Sequence, residues 1–193
     1  QKFTLQTKKK SEFYFMNKLI LLFFLVVLVF SGQAQTNKIE WLSFEEALKR
    51  NESNPKKIIV DIYTDWCGWC KRMDANTFTN PTIIKYIQEN YWAVKLNAER
   101  KDTILLGEQM FINENSGERR APHQLAVALL NGKMTYPSIV YLDKNIELMH
   151  PAIAGYQDPK SLEQIIKYFG EEAYQSVPWD KYQKEFKSEI SDK

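Results

Sequence analysis

Cys67 and Cys70 are the only two cysteines of the 193-residue chain. A Cys-x-x-Cys pair has two chemistries open to it: a small reversible disulfide, or two thiolate ligands for a metal. The run Ile59-Val60-Asp61-Ile62-Tyr63 is strand-like, and after Thr64-Asp65-Trp66 it delivers the cysteines into the first turn of a helical pattern. A helix N-terminus stabilises a thiolate through its dipole and its unpaired amides, so this placement favours redox chemistry. Asp61 is the next residue of interest, because a carboxylate in an otherwise apolar strand is costly to bury without a purpose. A zinc site would need His123 and His150 as further ligands. His123 follows a helix-opening Pro122, His150 precedes Pro151, and neither spacing is a finger or ribbon pattern, so no metal is expected.

The elements that must position these residues follow in chain order. Ser43 with Glu46 forms a capping-box pattern ahead of Phe44, Ala47 and Leu48 at helical spacing, and Asn54-Pro55-Lys56-Lys57 ends that helix. Ile58 to Tyr63 is too apolar and β-branched to be anything but a buried strand. A second helix runs from about Cys67 towards Phe78, and Asn80-Pro81 caps a third with Ile83, Ile84 and Ile87 inward. Tyr91 to Asn97 alternates as a strand, so the order implies a βαβ crossover and a parallel central pair. Thr103 to Ile112 reads as a small hairpin, Asn113 to Arg120 as polar loop, and Pro122 as the start of a helix stopped by Gly132. Ser138 to Leu142 and Ile146 to Met149 read as an antiparallel hairpin at one sheet edge. A core helix from about Asp158 to Phe169 follows, then a tail whose Trp179, Tyr182 and Phe186 fall at helical spacing and read as packing.

With 44% apolar and 13% aromatic residues, one sizeable core and one domain are expected. Lys18, the apolar run Leu19 to Phe30 and the small-residue end Ser31-Gly32-Gln33-Ala34 read as a secretory signal beginning at Met16 and cleaved after Ala34. An uncleaved anchor lengthened by Phe13 to Phe15 is the alternative. Residues 1–15 read as an extended n-region or an upstream mis-start. The expected organisation is an extension and signal over 1–34 and one domain over 35–193. Residues 1–34 carry five lysines and one glutamate, so removing them takes the net charge from +2 to −2. That near-neutral balance excludes nucleic acid as an expected partner and leaves a membrane only through an uncleaved anchor. Export permits a persistent disulfide.

The stretch Val60-Asp61-Ile62-Tyr63-Thr64-Asp65-Trp66-Cys67-Gly68-Trp69-Cys70-Lys71 closely resembles the active-site strand and helix start of the thioredoxin superfamily. Val94-Lys95-Leu96-Asn97 is similar to that family's next central strand, Tyr136-Pro137-Ser138 to its cis-proline corner, and Gly155 to the glycine before its last helix. These landmarks span about Lys38 to Phe169 in the family's order. Asp65-Trp66 and Thr77-Phe78 also resemble the soluble reductase domain of periplasmic thiol:disulfide interchange proteins. The resemblance implies an α/β, thioredoxin-like fold with a central mixed β-sheet flanked by helices. To this it adds an insertion at about 99–132 before the cis-proline and an extra C-terminal helix within about 170–193. The insertion is expected beside the site, where it would select partners or cap the groove; packed decoration is the alternative.

The implied activity is that of an exported thiol:disulfide oxidoreductase reducing protein disulfides. Cys67 would be the nucleophile, as the more exposed cysteine, titrating between about 3.5 and 7.5 rather than at ~8.5. Cys70 would resolve the mixed disulfide by attacking Cys67. The family assigns proton transfer for Cys70 to Asp61 and its ion-pair partner to Lys95, for which a surface lysine is the alternative. Pro137 would carry a cis bond after Tyr136 and present a backbone edge to an extended substrate, an ordinary trans proline being the alternative. Trp66, Gly68, Trp69, Tyr136 and Pro137 would form the substrate groove. Trp69 departs from the thioredoxin pattern, which has proline there. Expected partners are protein thiols and disulfides and an upstream redox protein, and no cofactor is expected. A metal-binding or peptide-binding module of the same fold, without redox turnover, is the other reading.

Overall fold

The computed structural model describes residues 37–191; the signal segment and its cleavage point after Ala34 lie outside these residues. Helix α1 (Phe44–Ser53) follows a two-residue strand β1 (Trp41–Leu42), and strand β2 (Lys57–Tyr63) comes next. Both halves of the capping box hold α1, with Ser43 Oγ accepting from the Glu46 amide at 3.1 Å and Glu46 accepting from the Ser43 amide at 2.8 Å. Helix α2 (Gly68–Asn76) leads into α3 (Pro81–Asn90), capped by Asn80 over a proline at the first position, and then into β3 (Tyr91–Asn97). The hairpin β4 (Ile104–Leu106) and β5 (Gln109–Phe111), helix α4 (Gln124–Leu129), β6 (Ser138–Leu142), β7 (Ile153–Ala154) and α5 (Pro159–Gly170) complete the domain. A 3-10 turn at Ala173–Gln175 and helix α6 (Trp179–Glu185) form the tail.

The main sheet has the order β1-β3-β2-β6-β7. Strands β1, β3 and β2 are parallel, whereas β6 is antiparallel to β2 and β7 to β6. The sheet is therefore mixed, with helices on both faces. Alternation along β2 sorts the core into two clusters. Ile58, Val60 and Ile62 pack with Phe44 and Ala47 of α1 and with Leu125 and Ala126 of α4. Ile59 faces the other way, against Met73 of α2, Ile83, Ile84 and Ile87 of α3, and Leu162, Ile165 and Ile166 of α5. At roughly 1.5–3 kcal/mol per fully buried aliphatic side chain, these two layers carry most of the drive to fold.

Two expectations change. The sheet edge beside β6 is Ile153–Ala154, paired to Ser138 and Ile139, and not Ile146 to Met149. The earlier segment contributes one isolated bridge, Leu142 to Leu148, because Asp143 draws the chain into a tight turn. Its Oδ1 accepts from the Asn145 and Glu147 amides at 2.8 Å, with Ile146 at φ 70°. Pro151 cannot donate to a ladder, so pairing resumes only beyond it. Helix α4 starts two residues after Pro122, and its N-cap is His123, which is completely buried. At its far end the first left-handed residue is Asn131, followed by Gly132. Residues 99–132 also contribute to the core, with Ile104, Phe111, Leu125 and Ala126 built into its α1 side.

The tail packs as its apolar spacing suggests. Trp179 and Tyr182 lie against Tyr168 of α5, with ring centroids 5.1 and 4.9 Å apart. Beneath them the buried Glu163 carboxylate accepts from Lys167 Nζ at 3.0 Å, Ser188 Oγ at 2.5 Å and the Glu189 amide at 3.0 Å.

Candidate active site

Strand β2 ends at Tyr63, whose carbonyl accepts from the Ala98 amide at 2.8 Å, and the chain turns through Thr64-Asp65-Trp66 into α2. Cys67 is the N-cap of that helix, and its Sγ accepts from the Cys70 amide at 3.0 Å. The sulfur thus occupies the position where an N-cap oxygen would satisfy the helix's free amides, which favour a negative charge there. Cys67 and Cys70 form a disulfide, with their Cα atoms 5.3 Å apart. Both are buried, Cys67 at 5% exposure and Cys70 at 2%, so the contrast in exposure between them is slight. Access to Cys67 falls to its neighbours: Trp66 and Trp69 are 48% and 55% exposed.

Asp61 lies opposite Lys95 on β3 in the parallel register and opposite Ile139 on β6. It shares its strand face with Ile59, the face that α2 covers through Met73. Lys95 Nζ donates to Asp61 Oδ2 at 2.6 Å and also pairs with Asp74 of α2. The Lys95 ammonium further sits over the rings of Trp41, Tyr63 and Phe78 at 5.0–5.3 Å. Asp61 Oδ1 is buried with no hydrogen-bond partner. Burial outweighs the attraction of Lys95 and pushes the Asp61 carboxyl up to about 6. Burial works against the charge on Lys95 as well, yet its two carboxylate partners hold its pKa above the ordinary lysine value. The cluster is therefore a permanently charged lysine beside a carboxyl poised to exchange a proton near neutral pH.

The Tyr136–Pro137 peptide bond is cis. Tyr136 meets the Trp66 ring edge-on at 6.0 Å, and the Pro137 carbonyl accepts from the Gly155 amide at 2.8 Å. Gly155 has φ 92°, a backbone conformation that L side chains rarely adopt. The next residue, Tyr156, lies against Trp69 at 5.5 Å. Thr77, beyond the end of α2, donates to the Gln157 carbonyl at 2.7 Å, tying the cysteine helix to the same corner. Segment 99–132 reaches the site at two points: Glu99 accepts from Trp66 Nε1 at 2.7 Å, and the Arg120 guanidinium lies 4.4 Å over the Trp66 ring.

The histidines do not join the cysteines in a metal site. His123 Nδ1 accepts from the Leu125 amide at 3.1 Å and Nε2 lies 3.0 Å from the Asp102 carbonyl, to which it donates. Both nitrogens are thus spent on backbone, and burial lowers the pKa of the ring, keeping it neutral. Among the described residues no group of three or more His, Cys, Asp or Glu is placed to hold a metal ion. Sequence reading passes over Asp74, Arg72, Arg120 and Tyr156. Asp74 follows Cys70 by one helical turn and Arg72 follows Trp69 at helical spacing, a local signal that was available; nothing local marks Arg120 or Tyr156.

A family model described as a thioredoxin-like domain matches residues 44–170, from the first residue of α1 to the last of α5. The chain belongs to this thioredoxin-like family. Among solved structures it is similar to a putative disulphide-isomerase from Bacteroides thetaiotaomicron, at 26% identity over 75% of this chain and 100% of that one, with a TM-score of 0.50. A thioredoxin-fold protein from Helicobacter pylori aligns over 79% of this chain and 89% of its own at 15% identity and a TM-score of 0.51, which shows the shared fold. An uncharacterized Archaeoglobus fulgidus protein is 34% identical over 71 residues, 36% of this chain and 56% of that protein. A thiol:disulfide interchange protein, DsbD, from Pseudoalteromonas atlantica is 31% identical over 49 residues, 25% of this chain and 8% of that protein. The matches to these curated relatives thus span little more than half of the first and a small part of the second. A thioredoxin-like fold carrying a bonded Cys-x-x-Cys pair at a helix N-cap has the make-up of a thiol–disulfide oxidoreductase.

Proposed function

We propose that this thioredoxin-like protein is an exported reductase of protein disulfides. The observation that carries the reading is the Cys67–Cys70 disulfide at the N-cap of α2, above the sheet face that holds the buried, half-satisfied Asp61 carboxyl. In the reduced protein the Cys67 thiolate attacks one sulfur of a substrate disulfide; a Cys67–substrate bond forms and the substrate's other sulfur leaves as a thiolate. Asp61 takes the Cys70 proton, and Cys70 attacks the Cys67 sulfur. The second substrate sulfur is released and the Cys67–Cys70 bond forms. Two electrons have passed to the substrate, and an upstream dithiol protein must return them. The cis corner at Tyr136–Pro137, with Trp66, Gly68 and Trp69, lines the entry for an extended substrate chain. Export is supported by the signal-like pattern of the first 34 residues.

Dithiothreitol-coupled insulin reduction tests the activity: turnover no faster than dithiothreitol alone overturns it. Direction is tested by equilibrium titration against glutathione, where a potential near roughly −270 mV supports a reductase and one near about −120 mV rejects it. Trp69 is a lever on that potential. It is the second residue of α2, where proline costs no intrahelical hydrogen bond. Its ring holds Arg72, the fifth residue of α2, at 5.2 Å, and losing that hold lets this cation move away from the indole two residues after Cys67, weakening the positive field that favours a thiolate. Trp69→Pro is expected to lower the potential by about 30 mV, or ~1.4 kcal/mol, without loss of fold; a shift in the opposite direction in the same titration would contradict this.

A further inference from the structure

We infer that the groove around Cys67 selects acidic polypeptide segments, which it holds between two arginine–tryptophan pairs, Arg120 on Trp66 and Arg72 on Trp69. The inference rests on the thiol–disulfide reading above and adds the chemistry of the substrate. Both indoles are exposed but neither is loose. Trp66 is fixed on three sides, by the Glu99 carboxylate at 2.7 Å, the Arg120 guanidinium at 4.4 Å and the Tyr136 ring at 6.0 Å. Trp69 is held by Arg72 at 5.2 Å and Tyr156 at 5.5 Å, and Arg72 also lies 5.5 Å over Tyr156. The two tyrosines belong to one corner, since Tyr136 is joined to Pro137 and Tyr156 follows the glycine bonded to the Pro137 carbonyl. Each pair is therefore referenced to the same backbone edge beside the disulfide.

The charge at this mouth is unspent. Arg50 and Arg100 are paired with carboxylates, whereas Arg72 and Arg120 make no ion pair with a described residue. Of the carboxylates nearby, Asp74 is ion-paired with Lys95, while Asp65 and Glu99 accept from the neutral Asn97 amide and Trp66 indole and are held away from either guanidinium as ion-pair partners. Arg120 is held at φ 62°, a left-handed conformation that a residue with a side chain rarely adopts, and this conformation accompanies the guanidinium's position over Trp66. Stacking on an indole leaves the planar edge of a guanidinium free to take a carboxylate through two parallel hydrogen bonds. Holding the side chain in place beforehand reduces the ordering lost on binding. An extended chain bearing Asp or Glu on both sides of its disulfide cysteine meets both guanidiniums at once.

The test uses prereduced protein and disulfide-linked peptides that differ only in the residues flanking cysteine, Glu in one and Lys in the other. Hydroxyethyl disulfide serves as an uncharged reference. Each rate is divided by the rate of the same disulfide with free dithiothreitol, which removes the effect of charge on the disulfide itself. The normalised Glu-to-Lys ratio is expected to be about tenfold, and to fall towards one in about 0.5 M sodium chloride. In the double variant Arg72→Gln/Arg120→Gln it is expected to fall to within about twofold. A wild-type ratio near one, or a ratio that persists in the double variant, overturns the inference. Exchange with hydroxyethyl disulfide but no acidic preference removes this inference alone; exchange with none of the three disulfides removes the oxidoreductase reading as well.

Discussion

Cys67→Ser is expected to bring insulin reduction down to the rate of dithiothreitol alone, a loss of at least about a thousandfold in the protein's own contribution. Cys70→Ser is expected to arrest turnover one step later, leaving the substrate attached to Cys67. The two outcomes differ because the two sulfurs occupy different places. Cys67 caps α2 and receives the Cys70 amide, so a negative charge on it is stabilised by the helix start. A serine hydroxyl there caps the helix equally well but carries no nucleophilic anion at neutral pH. Cys70 lies inside the first turn, bonded to the Cys67 sulfur, and is placed to attack that sulfur rather than to cap the helix. Mass spectrometry under non-reducing conditions distinguishes the cases: substrate adducts accumulate on the Cys70→Ser protein and are missing from Cys67→Ser. Insulin reduction surviving in Cys67→Ser would remove the proposed chemistry.

Asp61→Asn is expected to make the protein more stable and a poorer enzyme. The folded carboxyl titrates at about 6, against 3.8 for an ordinary aspartate. Between these values the native protein holds a proton that the unfolded chain has already released, so stability falls as pH rises through the window. The penalty is absent below about pH 4 and fully present above about pH 6. An asparagine removes it, and Lys95 keeps Asp74 as a partner, so no bare ammonium is left buried. Denaturant titration is expected to show a gain of about 1–3 kcal/mol at pH 7 that shrinks towards zero near pH 4. Resolution of the mixed disulfide, followed by stopped flow, is expected to slow by about a hundredfold and to lose its pH dependence near 6. A variant that is destabilised at pH 7, or that resolves at the wild-type rate, would rule out Asp61 as a strained proton acceptor.

These two residues also mark how far the sequence can be read. The chain order of helices and strands follows from local causes: the Ser43–Glu46 box, the Asn80-Pro81 start, the alternation in Tyr91 to Asn97 and the apolar, β-branched run before the cysteines, interrupted only by Asp61 between Ile58 and Tyr63. Each of these acts within a few residues, and such signals survive without knowledge of the partner. The reading fails where a distant group decides. The second edge strand is displaced to Ile153–Ala154 because the Asp143 carboxylate and Pro151 reshape the connection. Nothing local marks His123, set aside as a zinc ligand, as a neutral, buried cap; that role arises because the Asp102 carbonyl and the Leu125 amide claim both of its nitrogens.

By itself the sequence determined the Cys-x-x-Cys pair, its delivery from a buried strand into a helix start, the anomalous carboxylate at Asp61 and the membership of a recognisable family. Tertiary structure decided the environment of each. Parallel register sets Lys95 beside Asp61, and helix packing brings Asp74 to the same ammonium. The fold of segment 99–132 lays Arg120 on Trp66, and the contact between Gly155 and Pro137 seats Tyr156 against Trp69. The physical reason is range. Propensity, capping and hydrophobic period are properties of neighbours in the chain, whereas burial, ion pairing and ring stacking depend on which surfaces meet once those elements pack.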